Sequence, residues 1–338
     1  MIPYFYELLK FNLIWMKRIA VATTGGDAPG MNAAIRAITR IGISKNLQVI
    51  GFKDGWDGLV KNDYVILTKR SVGGILHQGG TILRTSRSSV LRTQEGLEQA
   101  AENIKLNDID AFFVIGGNGS FAAANLLSKH TNIPFIGIPG TIDNDVYGTN
   151  ETIGFDTAVN SAVKQIDNIR DTANSHNRIF ITVVMGRKNG FIALNTGIAV
   201  GASLILIPEE SVSNQIDNII TVIKKNQAAG KKSGIIVAAE GIDIDIRELA
   251  EIIKKETSSK VRVNILGYTQ RGGNPTARSR LLANLFVKYG IETIFSQEGS
   301  FVMTLDNGSI KPKPIAEIID KERKIDLELL DYYKILSS

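Results

Sequence analysis

Short runs rich in valine and isoleucine alternate along this chain with longer amphipathic segments, and that rhythm restricts the fold more than any other feature. The runs fall at 18–23, 111–115, 135–138, 179–184, 204–207, 234–238 and 262–266. Strands that are apolar at nearly every position are buried on both faces, and connections long enough to hold a helix let neighbouring strands run parallel. The expected class is α/β, with largely parallel sheets covered by helices. The clearest helix follows Gly154, where Phe155, Ala158, Val159, Ala162, Val163, Ile166 and Ile169 keep a helical period. Near the end, 301–305 and 309–311 flank Asp306, Asn307 and Gly308, which reads as a hairpin.

A length of 338 residues allows two domains, each with its own core. The absence of cysteine excludes a disulfide framework and a thiolate nucleophile, and fits a reducing, cytoplasmic setting. The formal charge of +5 comes from scattered basic residues with no aromatic-interleaved stripe. Nucleic acid is therefore not the expected partner, since small anionic ligands also call for arginines. No apolar run is long enough to span a bilayer, so no membrane partner is expected. Residues 1–15 are apolar and aromatic but lack a basic start and a small-residue cleavage site. Because 16–23 is itself a credible first strand, the extension is expected to be disordered or to mark an upstream translation start.

Glycine-rich turns follow several of the apolar runs. They are GGDAPGMN at 25–32, GGT at 79–81 and GGNGS at 116–120. A strand, a glycine pair and a helix can place backbone N–H groups and a helix N-terminus against a phosphate, or can be a tight connection only. The repetition favours phosphate. After 135–138 comes PGTIDND at 139–145, which crowds Thr141, Asp143 and Asp145 onto an expected strand-end loop. Two such carboxylates can divide the work of proton acceptor and metal or water anchor, or can brace a turn through their own backbone. The histidines, His77, His130 and His176, are isolated and show no metal-ligand spacing.

The segments GGDAPGMNAAIR (25–36), PGTIDND (139–145), TIGFDTA (152–158), MGR (185–187) and QRGG (270–273) resemble, in this order, the motifs of ATP-dependent 6-phosphofructokinases of bacterial type. The resemblance covers nearly the whole chain from Met16. It implies two three-layer α/β/α domains with the active site in the cleft between them, at 16–154 plus 270–322 for the nucleotide and 155–269 plus 323–338 for fructose 6-phosphate. It assigns ATP contacts to Gly26, Arg87, Ser88, Gly117, Asn118, Gly119 and Ser120. Catalysis falls to Asp143 as the base for the sugar 1-hydroxyl, with Asp145, Thr141 and Arg187. Substrate contacts fall to Thr141, Asp143, Met185, Gly186, Arg187, Glu240, Tyr268 and Arg271, with Arg178 and Arg262 supplied by a neighbouring subunit of a homotetramer. An effector site for ADP or phosphoenolpyruvate maps onto Arg36, Arg40, Arg170, Lys231 and Lys232.

The chain departs from the family pattern at several points. Asn118 stands where an aspartate binds Mg²⁺; a neutral amide offers an oxygen but no charge to a hard cation, so weaker metal affinity or a non-catalytic subunit is implied. Tyr268 replaces a histidine and cannot become cationic near neutral pH. Asp63, Ser203 and Ala229 replace an arginine, a metal-binding glutamate and a lysine of the effector site, so a blunted response to effectors is expected. Pyrophosphate-dependent relatives look to carry aspartate and lysine where this chain has Gly119 and Gly140, so glycine at both favours ATP.

Overall fold

A computed structural model describes residues 16–336; the expectation for residues 1–15 falls outside them. In chain order the elements are β1 (Arg18–Thr23), α1 (Met31–Ser44), β2 (Gln48–Phe52), α2 (Trp56–Val60), β3 (Tyr64–Leu67), α3 (Gln94–Leu106), β4 (Ala111–Gly116), α4 (Asn118–Ser128), β5 (Phe135–Thr141) and β6 (Ile153–Gly154). They continue with α5 (Phe155–His176), β7 (Arg178–Val184), α6 (Phe191–Ala199), β8 (Leu204–Leu206), α7 (Ile216–Ala228), β9 (Gly234–Ala239), α8 (Ile246–Thr257) and β10 (Lys260–Ile265). Last come α9 (Ala277–Ser296), β11 (Phe301–Asp306), β12 (Ser309–Pro314), α10 (Ile315–Ile319) and α11 (Leu327–Leu336).

The chain divides into two units. The first holds the stretch through Thr141 with Asp145–Gly154 and Arg271–Arg323; the second holds Ile142–Asn144, Phe155–Gln270 and the residues from Lys324 on. Against the boundaries expected from the sequence, Gln270 and the tripeptide 142–144 go with the second unit and Arg323 with the first. Two of these shifts have a local cause. The Gln270 side chain accepts from the Met185 N–H, and the Arg323 charge lies among Asp145 and Glu151.

In the first unit the strand order is β12-β11-β5-β4-β1-β2-β3, with β6 beside β5. All its neighbours are parallel except β2 with β3 and β11 with β12. Alternate strand residues serve opposite faces, as a pleated strand requires. On one face Ala20, Ile50, Phe52, Phe112, Val114 and Phe135 pack with Leu97, Ala100 and Ile104 of α3 and with Phe121, Ala124 and Leu127 of α4. On the other, Ile19 and Val49 meet Gly42 of α1, and Phe113, Ile136 and Ile138 meet Gly290 of α9. Every residue of β4 and β5 is buried, which is the physical reason their sequences read as continuous apolar runs. The Phe112 ring stacks on Phe52 and Phe135 at centroid separations of 5.7 and 5.6 Å.

The second unit has an all-parallel sheet in the order β10-β7-β9-β8. Ile179, Ile181, Ile236, Ala238 and Val261 face α7 and α8. Ile205 of β8 packs on the opposite face against Gly197 of α6. The expected hairpin is present, with Asp306 opposite Ser309 and Asn307 and Gly308 both at positive φ, 46° and 78°. Two differences from the sequence reading bear on the site. β5 continues through Pro139 and Gly140 to Thr141, so the first three of the seven residues of the expected loop are strand, and β2 and β3 add to the first sheet. No helix among the described residues is long and apolar enough to cross a membrane.

Candidate active site

Parallel register puts the ends of three strands of the first unit side by side: Thr23 pairs with Ile115, and Gly116 with Pro139. The turns that follow these ends therefore meet. Ser120 Oγ donates to the Thr24 carbonyl at 3.1 Å, and the Gly25 N–H donates to the Ser86 carbonyl at 3.0 Å. A Cβ on Gly117 would stand 3.6 Å from Cβ of Thr141. Gly117 caps α4, so the helix starts at Asn118 with the N–H groups of its first turn beside the end of β5. Gly26 lies in close approach to Arg271: a Cβ there would come within 2.7 Å of Nη1, so the guanidinium would have to shift.

Arg271 is itself buried, and its Nη1 donates to the Asp27 carbonyl at 3.0 Å. Of the residues expected to touch the sugar phosphate, Arg271 thus lies against the Gly26 turn. Gly119 has open space where a Cβ would be, whereas a Cβ on Gly140 would approach Cγ2 of Ile115 to 2.9 Å. Any side chain at position 140 would need Ile115 to move, whereas the first side-chain carbon at 119 meets nothing.

The Asn118 amide is oriented. Its Nδ2 donates to the Asp145 carbonyl at 3.1 Å, while its Oδ1 is buried without a hydrogen-bond partner. A buried amide oxygen without a donor is the feature a hard cation or its water would satisfy. The residue present thus fits a divalent metal as one neutral oxygen ligand. Arg323 is a site residue that sequence reading missed. It is half-buried, and burial pushes its guanidinium down to about 10, against the opposing pull of Asp145 and Glu151. It remains cationic at neutral pH, and Arg278 pairs with Glu151 at 2.8 Å.

In the second unit, Asp143 is 4% exposed and the next residue, Asn144, has φ 55°. Asparagine tolerates the left-handed region, and the turn it makes separates Asp143 from Asp145, which belongs to the first unit. β7 ends at Val184 and leads into Met185, Gly186 with φ 139° and Arg187 with φ 55°. Strained backbone there is held by two side chains: Glu240 Oε1 accepts from the Arg187 N–H at 2.8 Å, and Gln270 Oε1 from the Met185 N–H at 3.2 Å. Glu240 was expected at the site. Gln270, fully buried, was visible only as part of QRGG, and its role as a brace needed the fold.

Arg178 and Arg262 lie on neighbouring strands. Arg178 pairs with Lys260 and Phe180 with Arg262, so the arginines share one face of the β7–β10 pair. Arg178 Nε is buried without a partner, while Arg262 and Tyr268 are exposed, Tyr268 to 81%. Of the expected effector residues, Arg36 and Arg40 stand one turn apart on α1. Asp63 is paired with Lys53 at 3.0 Å. Arg170 donates to the Val200 carbonyl, and Lys231 and Ser203 line one small pocket in the second unit. Lys232 is exposed, and Ala229 follows the end of α7.

Strand-end glycine turns at helix N-termini in the first unit, and in the second a buried aspartate two residues past β5 and two arginines on one face of a parallel sheet, are features of an α/β protein suited to phosphate ligands. The phosphofructokinase family model matches residues 18–294. A relative from Persephonella marina is 46% identical over 95% of this chain and all of its own length, and one from a Sulfurihydrogenibium species is 47% identical with the same coverage; both carry the name ATP-dependent 6-phosphofructokinase. The chain belongs to the phosphofructokinase family. Among solved structures, the phosphofructokinase of Pichia pastoris in the T-state superposes with a TM-score of 0.86 at 35% identity, covering 90% of this chain and 35% of that longer one. A pyrophosphate-dependent phosphofructokinase from Marinobacter aquaeolei, at 22% identity and a TM-score of 0.82 over 96% of this chain and 92% of its own, shares the fold.

Proposed function

We propose that this chain is an ATP-dependent 6-phosphofructokinase: it transfers the γ-phosphoryl of ATP to the 1-hydroxyl of fructose 6-phosphate, giving fructose 1,6-bisphosphate and ADP in glycolysis. The observation that carries the proposal is the end of β5, where Thr141 lies against the Gly117 cap and buried Asp143 follows two residues on. The names of the full-length relatives support the same reaction.

Phosphoryl transfer asks a protein for alignment, a proton acceptor and positive charge around the moving group. Gly26, Arg87, Ser88, Gly117, Asn118, Gly119 and Ser120 hold the nucleotide. Asp143 takes the proton of the 1-hydroxyl as that oxygen bonds to the γ-phosphorus and the bond to the β–γ bridging oxygen breaks. Arg187 and Thr141 hold the moving phosphoryl group, and Asp145 supports the loop. Asn118, and Asp145 directly or through water, would hold the Mg²⁺ that neutralises phosphate charge when bound. Met185, Gly186, Glu240, Tyr268 and Arg271 bind fructose 6-phosphate.

Further parts of the proposal are a cytoplasmic homotetramer in which Arg178 and Arg262 clamp the 6-phosphate in a neighbouring subunit's site. Arginine forks suit that two-oxygen contact. Arg36, Arg40, Arg170, Lys231 and Lys232 form a phosphate effector site, weakened by Asp63, Ser203 and Ala229. Gly119 and Gly140 favour ATP over pyrophosphate, and the tight contact of Gly140 with Ile115 speaks against lysine there. Asn118 favours one second reading, a subunit that binds both ligands without turnover.

A coupled assay with fructose 6-phosphate and Mg²⁺, run with ATP and pyrophosphate in parallel, tests this. Turnover with ATP alone is expected. Turnover with pyrophosphate alone rejects the donor assignment, and binding of both ligands without turnover favours the second reading.

A further inference from the structure

Asp57 stands at the first turn of α2 in the first unit, and its carboxylate reaches a segment far along the chain. Ser86 Oγ donates to Oδ2 at 2.7 Å and also lies 2.8 Å from the Asp54 carbonyl. Ser88 Oγ donates to Oδ1 and accepts from the Val90 N–H at 3.1 Å. The two carboxylate oxygens therefore grip the residues on either side of Arg87. The same segment is tied from its other side to the glycine turn, through the Gly25 N–H on the Ser86 carbonyl and Thr85 Oγ1 on the Gly25 carbonyl, both at 3.0 Å. Arg87 is exposed, and its guanidinium forms no ion pair among the described residues.

We propose that Asp57 is a positioning residue for Arg87: by holding the hydroxyls before and after it, the carboxylate fixes the backbone from which the guanidinium meets the donor's phosphates. The inference rests on the assignment of Arg87 to ATP. Hydrogen bonds to an ionised acceptor are about twice as strong as neutral ones, and two on one carboxylate restrict the intervening residue at both flanks. A long cation on a loose loop must be ordered when the ligand arrives, which weakens binding; a loop already held avoids most of that loss. An acidic residue in the first turn also favours the helix dipole, so Asp57 has a purely structural role open to it. Loss of that role alone would lower stability without touching ATP selectively.

The test is a double-mutant cycle read by calorimetric ATP binding to the full chain, with steady-state kinetics beside it. Asp57→Asn keeps the size but turns an N–H pair toward one of the serines. It is expected to weaken ATP binding about tenfold, equivalent to about 1.4 kcal/mol, with the KM for fructose 6-phosphate unchanged. In an Arg87→Ala background the same substitution is expected to add nothing further. Ser86→Ala, at a residue outside the assigned ATP contacts, should reproduce part of the loss with Arg87 present and none of it in the Arg87→Ala background, which guards against a folding defect peculiar to position 57. Equal effects with and without Arg87, or a lower melting temperature with ATP affinity untouched, would overturn the inference. So would a wild-type protein that binds no ATP. If the wild type binds ATP yet fails to phosphorylate fructose 6-phosphate, the kinase reading falls, while the coupling of Asp57 to Arg87 is still decided by the binding cycle.

Discussion

Asp143 is the side chain on which the proposed chemistry turns. Asp143→Asn keeps the shape and removes the proton acceptor, so kcat should fall by roughly 10²- to 10⁴-fold while the KM for fructose 6-phosphate stays close to its original value. An equal rise in KM with kcat preserved would assign Asp143 to binding instead. Asn118 makes a subtler case. Its Nδ2–H bond to the Asp145 carbonyl is one that no carboxylate can donate, so Asn118→Asp trades an orienting contact for a charge on the metal. The expected outcome is a lower Mg²⁺ requirement, read by titrating Mg²⁺ at fixed ATP. Away from the site, Asp243 accepts from the hydroxyls of Ser211 and Ser213 and from the backbone of Val212 and Ser213, and these bonds lower its carboxyl to about 2. A depressed carboxyl stabilises the fold above its ordinary value of 3.8 and loses that contribution as pH falls through about 2. Asp243→Asn should therefore be less stable than wild type near neutrality, with the difference vanishing in strong acid.

Elements rather than single residues decide how much could be read in advance. β1, β4, β5, β7 and β9 were legible because central parallel strands are apolar along their whole length. β2 and β3 were not: Gln48 is exposed, Gly51 interrupts a strand of QVIGF, and β3 is an edge with Ile66 56% exposed. The glycine turns could be recognised because a strand end, a glycine and a helix start are adjacent in sequence. The braces could not, since Asp57 reaches across 29 residues to Ser86 and Gln270 across 85 to Met185. Arg323 stands outside every recognised motif, and only folding brings its charge to Asp145 and Glu151. The element that β4 anchors offers its own test. Phe112 is fully buried between Phe52 and Phe135, so Phe112→Ala should cost about 3–5 kcal/mol in chemical denaturation. A loss below about 1 kcal/mol would mean that the first unit does not depend on this stack.

For the whole molecule, the proposed exchange of arginines between subunits predicts complementation. Arg262→Ala and Asp143→Asn proteins should each be nearly inactive. Dissociated together and reassembled, they should regain part of the activity, because some sites then receive an intact Asp143 and an intact Arg262 from different chains. No recovery in verified mixed oligomers would place Arg262 within its own chain's site.

The first unit's sheet carries a further consequence at β12, its outermost strand on one side among the described residues. The sequence Ser309–Pro314 reads SIKPKP, and neither Pro312 nor Pro314 has an N–H to offer to an incoming strand, while Lys311 and Lys313 add like charge. Growth of this sheet by addition of another chain's strand is disfavoured on that flank. That guards the folded protein against edge-to-edge polymerisation.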